Sequence, residues 1–326
     1  ALHPRPRRQR QMCIRDSPDE VLKYIAPEEC QLSYNPLLMA LIWESLATRE
    51  TRLLTESMRT SFEIDPQCAW VNYVRCHDDI GWTFDDNVAR KNGMDGYDHR
   101  HFLNQFYTGR FEGSFAKGVA FQENPNTGDC RVCGTAASLA GLEVAQESKD
   151  PNYIEHSVQR VLMMHSIVLS IGGIPLLYAG DELGLLNDYS YAQDQHKQND
   201  ARWVHRIPFS EQGLDKAHDK STPQYAIASG LAHMIGIRKQ TPVLGRSKTQ
   251  ILQSDNSHLF AYLRISEAER LLVICNFSER EQTLNGRILD HLHSSECKDL
   301  LTDKELLINA QTIKLAPYQV MWLFGQ

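Results

Sequence analysis

Residues 69–79 read AWVNYVRCHDD, and residues 174–182 read IPLLYAGDE. Each opens with a short apolar or aromatic run and ends abruptly in charged side chains. An apolar run without alternation is the pattern of a strand covered on both faces. Polar groups gathered at the C-terminal end of such a strand are where parallel α/β folds place their chemistry. The spacing predicts strands over 69–74 and 174–178, with a third, shorter one over 31–34. Helical periodicity lies between and around them, over 37–54, 153–170 and 223–239. Strand and helix therefore alternate, which predicts a parallel sheet with helices packed on it.

Two long stretches do not fit this alternation. Residues 80–145 are aromatic, Gly-rich and full of Asn and Asp, too long for a strand-to-helix loop, and read as an inserted domain. Residues 183–221 read as a polar loop. After Pro242 the texture changes. Residues 259–265 alternate, and 271–277 and 319–324 are apolar runs separated by polar turns. This predicts an all-β sandwich domain over 245–326. The Arg-rich residues 1–17 share no pattern with the rest of the chain. They read as an anomalous, non-native leader, the other readings being a basic tail or a nucleic-acid arm.

Composition narrows the function. The chain of 326 residues is 42% hydrophobic and carries a formal net charge of -7. That balance argues against a nucleic-acid or anionic-membrane binder, which needs a basic face. Residues 161–180 are nearly all apolar, but His165, Gly172, Gly173 and Pro175 interrupt them, so they read as helix, turn and strand rather than a membrane span. The eight cysteines follow no framework spacing, which favours free thiols in a cytoplasm. Cys130-x-x-Cys133 lacks the second pair a zinc ribbon needs. The sequon Asn276-Phe277-Ser278 falls at the end of an apolar strand and is discounted.

His77-Asp78-Asp79 is the sharpest local signal. A carboxylate at a strand end can accept hydrogen bonds from sugar hydroxyls and stabilise positive charge at an anomeric carbon. The same residues also serve as a solvated cap or, with further ligands that nothing fixes, a metal site. Arg100, Arg131, Asp188, Asp200, Arg202, Trp203 and His205, with Trp82, Phe84, Tyr97 and Phe121, supply the aromatic faces and charged hydrogen-bonding groups of a carbohydrate site.

The motifs YVRCHDDIGWTF (73–84), GYDHRHFLNQFY (96–107), NPNTGDCRVCGTAA (124–137), GGIPLLYAGDELGLLND (172–188) and DARWVHR (200–206) resemble the amylosucrases of glycoside hydrolase family 13. The resemblance runs from Pro18 to the C-terminus. It implies a (β/α)8 TIM barrel, of which 18–240 would be the last part: three strands, with 80–145 inserted after strand seven. It implies a retaining reaction that cleaves sucrose, releases fructose and passes glucose to an α-1,4-glucan, with no cofactor and no metal. Asp78 matches the transition-state stabiliser. His77 matches the neighbour that binds the glucosyl ring. Asp79, Arg100 and Arg131 match the fructosyl side, and Arg202 matches the Arg that closes the pocket floor.

One departure bears on activity. Retaining chemistry needs a nucleophile and an acid/base carboxyl about 5 Å apart. The motifs that carry them in the family, R-x-D-A-V and S-E-A, do not occur here, so the chain is expected to be an inactive C-terminal fragment. A sucrose hydrolase or another α-amylase-family glycosidase is the nearest alternative, and a non-catalytic carbohydrate-binding protein the alternative from another class.

Overall fold

The computed structural model describes residues 23–294, 296–307 and 311–325. The leader at 1–17 lies outside them. The first strand, β1 (Leu32–Tyr34), leads into helix α1 (Pro36–Thr48), helix α2 (Arg52–Met58) and strand β2 (Ala69–Tyr73). The periodic stretch 37–54, expected as one helix, is two. Asn35 caps α1 through the Leu38 amide, and Arg49 closes it in the left-handed region at φ 61°. Every residue from Leu37 to Ala47 is buried, Glu44 included, so this is a helix covered all round rather than a surface helix with one apolar stripe.

The stretch after β2 contains helices α3 (Asp86–Lys91) and α4 (Gly96–Tyr107), a hairpin of β3 (Val119–Phe121) with β4 (Arg131–Cys133), and short helices α5 (Ala136–Leu139) and α6 (Leu142–Ser148). Asp85 and Asp95 cap α3 and α4 with their carboxylates. The segment shares the main apolar cluster. Trp82 stacks on Tyr107 at 5.4 Å, and Tyr107 meets Trp43 of α1 edge-on at 5.4 Å.

Helix α7 (Pro151–Ser170) comes next, started by Asp150 as cap and Pro151 in the first turn. Strand β5 (Ile174–Leu176) comes after it, two residues shorter than expected. The region read as a polar loop holds helix α8 (Glu211–His218), capped by Ser210. Helix α9 (Pro223–Gln240) ends this part.

The three strands form a parallel sheet in the order β1-β2-β5. Asn72, fully buried in its middle strand, accepts from Asn35 Nδ2 at 3.0 Å and donates to the Gly172 carbonyl at 2.5 Å. One side chain thus ties the exits of β1 and α7 to β2 and holds the register. The described residues close no barrel, and both β1 and β5 are edges.

The C-terminal domain has a six-stranded antiparallel sheet facing a two-stranded one. Its main strands are β6 (Lys248–Leu252), β7 (Leu259–Ile265), β8 (Arg270–Asn276), β10 (Glu296–Asp299), β11 (Lys304–Leu307) and β13 (Val320–Gly325), with β9 (Gln282–Asn285) paired to β12 (Thr312–Leu315). Leu259, Ala261, Leu263, Leu272 and Ile274 pack toward β9 and β12, while Phe260, Tyr262, Leu271, Val273 and Trp322 join the cluster of the α/β part. The sheet is covered on both faces, which is why 271–277 shows no alternation. Asn276 of the sequon is fully buried and donates to the carbonyls of Arg280, Leu315 and Ala316.

Candidate functional site

The site forms where β2 runs out at the C-terminal edge of the parallel sheet. Asp78 Oδ1 accepts from Arg202 Nη1 at 3.2 Å and from Arg206 Nη2 at 3.5 Å, and Asp78 Oδ2 lies 3.4 Å from His77 Nε2. Both arginines come from the single 3-10 turn over Ala201–Val204 and the residues just after it. Arg202 is gripped by Asp200 in a two-pronged pair, Nε to Oδ1 at 2.8 Å and Nη2 to Oδ2 at 2.9 Å. That pair holds the Asp200 carboxyl below its ordinary range and pushes the guanidinium up. The Arg202 guanidinium also lies 5.0 Å from the centre of the Phe121 ring. Arg206 donates from Nε to the His77 carbonyl at 2.9 Å, so it grips the backbone beside Asp78 as well as its side chain.

His205, between the two arginines, points inward. The Gly134 amide donates to its Nδ1 at 3.1 Å, and its Nε2 lies 3.2 Å from the His77 carbonyl. An amide can only donate and a carbonyl can only accept, so the ring is neutral with its proton on Nε2. Burial and the charge of Arg75 take its pKa down to about 3, which keeps it neutral.

The other expected residues sit around this centre. Asp79 pairs with Arg131 of β4, Oδ2 to Nη1 at 3.3 Å, with the Asp79 side chain 9% exposed. Arg100 of α4 is not brought onto Asp78. It pairs with Asp86 of α3 at 2.8 Å and lies 5.1 Å from the Phe84 ring centre. Gly96 makes that pair possible, since a Cβ there would stand 2.2 Å from Asp86 Oδ1.

Three participants were not singled out from sequence as site residues. Arg206 shares the Asp78 contact with Arg202, and its signal is the second Arg of DARWVHR, four positions after the first. Arg75 and Asp181 form a fully buried pair, Nε to Oδ1 at 2.9 Å, that joins the ends of β2 and β5. Their signal is one charge of each sign just beyond two neighbouring apolar strands. Arg75 also lies 4.4 Å from the Tyr178 ring centre.

Cys76, His77 and Asp78 bring donor atoms within 4.8 Å of one another. Two guanidinium groups already on Asp78 oppose a dication there, and burial raises the Cys76 thiol above its ordinary value, so a metal does not suit the set. Cys130 and Cys133 are buried free thiols, both pushed upward by burial, Cys130 to about 11. Protonated thiols are poor ligands and nucleophiles. Among the described residues no helix is long and apolar enough to cross a membrane.

Comparison with known proteins bears on the fold. Residues 249–322 match the maltogenic amylase C-terminal domain. Glucosylglycerate phosphorylase of Escherichia coli is 26% identical over 180 residues, covering 55% of this chain and 30% of that protein. Trehalose synthase of Thermus thermophilus is 22% identical over 291 residues, covering 82% and 26%. The chain thus spans about a third or less of the curated relatives it matches. Among solved structures, AmyP in complex with maltose has a TM-score of 0.57 at 14% identity over 90% of this chain and 50% of that one. The α-amylase from H. orenii has a TM-score of 0.56 at 12% identity over 96% and 52%. The matched C-terminal domain, the relatives and the fold are what this chain shares with proteins of the α-amylase superfamily, glycoside hydrolase family 13, to which it is similar.

Proposed function

We propose that this chain is the C-terminal part of a retaining α-glucosyl-transferring enzyme of the amylosucrase kind, which cleaves sucrose, releases fructose and passes the glucosyl unit to an α-1,4-glucan. The observation that carries the reading is Asp78 at the end of the central parallel strand, with His77 beside it and two guanidinium groups on one of its oxygens. A carboxylate held in that way is fixed in position, as a group that stabilises an oxocarbenium-like transition state must be. In this reading His77 hydrogen-bonds the glucosyl ring, Arg202 closes the pocket floor, and Asp79, Arg100 and Arg131 face the fructosyl unit. The three parallel strands are the last three of a (β/α)8 barrel, and residues 80–145 are an insertion after its seventh strand.

The nucleophile and the acid/base must then come from other strands. Three carboxyls of the strand ends and the 201–204 turn are already paired: Asp200 with Arg202, Asp79 with Arg131 and Asp181 with Arg75. We therefore expect no turnover by these residues alone. The test is fructose release from sucrose with glycogen present. It compares this chain by itself, the chain joined to the upstream part of a barrel carrying R-x-D-A-V and S-E-A, and the joined form with Asp78→Asn. The joined form should be active and its Asp78→Asn variant should lose several orders of magnitude in rate. Activity in the chain by itself would overturn the assignment. The similarity to a glucosylglycerate phosphorylase makes phosphate the competing acceptor, and formation of glucose 1-phosphate in the same assay would favour that reading.

A further inference from the structure

Glu44 lies in the middle of α1 with its side chain 1% exposed, and its Oε1 is 2.8 Å from His99 Nε2 on α4. This contact ties the buried face of α1 to the helix that carries Arg100 at the position next to Arg100, while the Tyr107 hydroxyl, which donates to the Trp43 carbonyl, ties the C-terminal end of that helix to α1. His99 is 10% exposed, and its ring meets Phe84 edge-on at 5.4 Å and stacks on Phe102 at 6.2 Å. The next residue, Arg100, lies over the same Phe84 ring and pairs with Asp86. Phe84 is therefore held between two consecutive side chains of α4. Turning α4 about its axis would pull both from it at once. A carboxylate buried in an apolar helix costs several kcal/mol unless paired, so His99 has no cheaper place than against Glu44.

We propose that Glu44 and His99 are positioning residues that fix the rotation of α4 and thereby place Arg100 over Phe84 and against Asp86. The assignment of a sugar-facing task to Arg100 rests on the proposed function; the placement itself does not. Besides His99, the titratable group near Glu44 is Tyr107 of α4, and Tyr107 in turn is near Arg49 at the end of α1, Arg160 of α7 and Tyr318 of the β domain. Burial raises the Glu44 carboxyl above its ordinary value, with His99 pulling it back. An acid raised on folding contributes stability that is full at low pH and lost as pH rises.

The experiment tracks the side-chain Nε–H resonance of Arg100 in the full chain by 15N NMR, assigned through its loss in Arg100→Lys. The Phe84 ring current marks that proton in the wild type. Glu44→Leu and His99→Leu should move it to the position of a free arginine, while Glu44→Gln, which still accepts from His99, should keep it. The His99→Leu comparison decides the matter even if Glu44→Leu does not fold. An Arg100 signal unchanged by His99→Leu would overturn the proposal. Adding sucrose or maltotriose separates the two claims. A signal that depends on Glu44 but ignores both sugars upholds the positioning and counts against the sugar-facing task of Arg100.

Discussion

Arg75 and Asp181 are 2% and 1% exposed at the side chain, and they join the ends of adjacent strands just below the Asp78 centre. The pair is half satisfied. Asp181 Oδ1 takes Arg75 and, at 3.4 Å, the Ala136 amide, while its Oδ2 is buried with no hydrogen-bond partner. Removing one member of a buried pair strands the other charge and costs about 3–5 kcal/mol, whereas replacing both by apolar groups is often neutral or better. Asp181→Ala should therefore lower the unfolding free energy by about that amount, read from the urea midpoint at unchanged m-value. Arg75→Met with Asp181→Leu should recover most of the loss. A double variant as unstable as the single one would mean that packing at the strand ends, not the stranded charge, sets the cost. At this scale the sequence was informative where side chains directly succeed a strand, as with His77, Asp78 and Asp79. The charges of Arg75 and Asp181 are visible in 69–79 and 174–182, but their pairing, like the contact of Arg206 with Asp78, spans 106 and 128 positions and no local spacing reports it.

Elements were legible where their ends carry chemistry of their own. Asp150-Pro151 starts α7 and Thr222-Pro223 starts α9, each with a capping oxygen before a proline in the first turn. Helix α8 was passed over although Ser210, Glu211, Lys216 and His218 mark its two ends, because its few apolar residues give no period to read. The C-terminus of α7 has a device that no local pattern shows. Arg264 of β7, 1% exposed, donates to the Ile171 carbonyl at 3.2 Å and the Gly245 carbonyl at 2.8 Å, and it also contacts the Thr249 hydroxyl. Arg238 of α9 donates to the carbonyls of Leu169, Leu244 (2.7 Å) and Gly173 (3.3 Å). Two cations therefore meet the negative end of a 20-residue helix. Burial brings the Arg264 guanidinium down to about 10, still charged at neutral pH. Gly172 allows the approach: its φ is +109° and a Cβ would lie 2.4 Å from Arg264 Nη1. Gly172→Ala should cost about 1–3 kcal/mol from backbone strain alone, with the clash added to it. Calorimetry should show a lower Tm. An unchanged Tm would mean that the turn leading to β5 does not depend on this contact.

On the scale of the whole molecule, the parallel sheet is unequally covered. One face carries Trp70 and Asn72, 5% and 0% exposed, with Trp70 packed on Ile25, Cys68, Phe62 and Ile64. On the other, the register sets Tyr34, Val71 and Ile174 in a single row, and Tyr34 and Ile174 are 47% and 44% exposed. Leu32, 56% exposed, lies on the same face one step along β1. Parallel sheets are normally covered on both faces, and an open edge with apolar side chains is a template for pairing with another chain. The sequence signalled this indirectly, since 174–178 is as apolar as a strand covered on both sides although β5 is covered on one. The inner strands β7, β8 and β13 of the C-terminal domain have no such exposure, because one face of its large sheet meets β9 and β12 and the other meets the helices. Self-association of this chain should therefore arise from the row Tyr34–Val71–Ile174. Ile174→Lys places a charge on that face at the edge strand β5, at a position already half in water, so it should leave the folded core intact. It should also reduce the growth of light scattering with concentration. Leu307→Lys, at the exposed outer edge of the C-terminal sheet and 76% exposed in the parent, serves as the comparison. Suppression by Leu307→Lys rather than Ile174→Lys would move the sticky surface to the edge of the β domain and remove the reason to regard the open sheet face as the place where further strands pack.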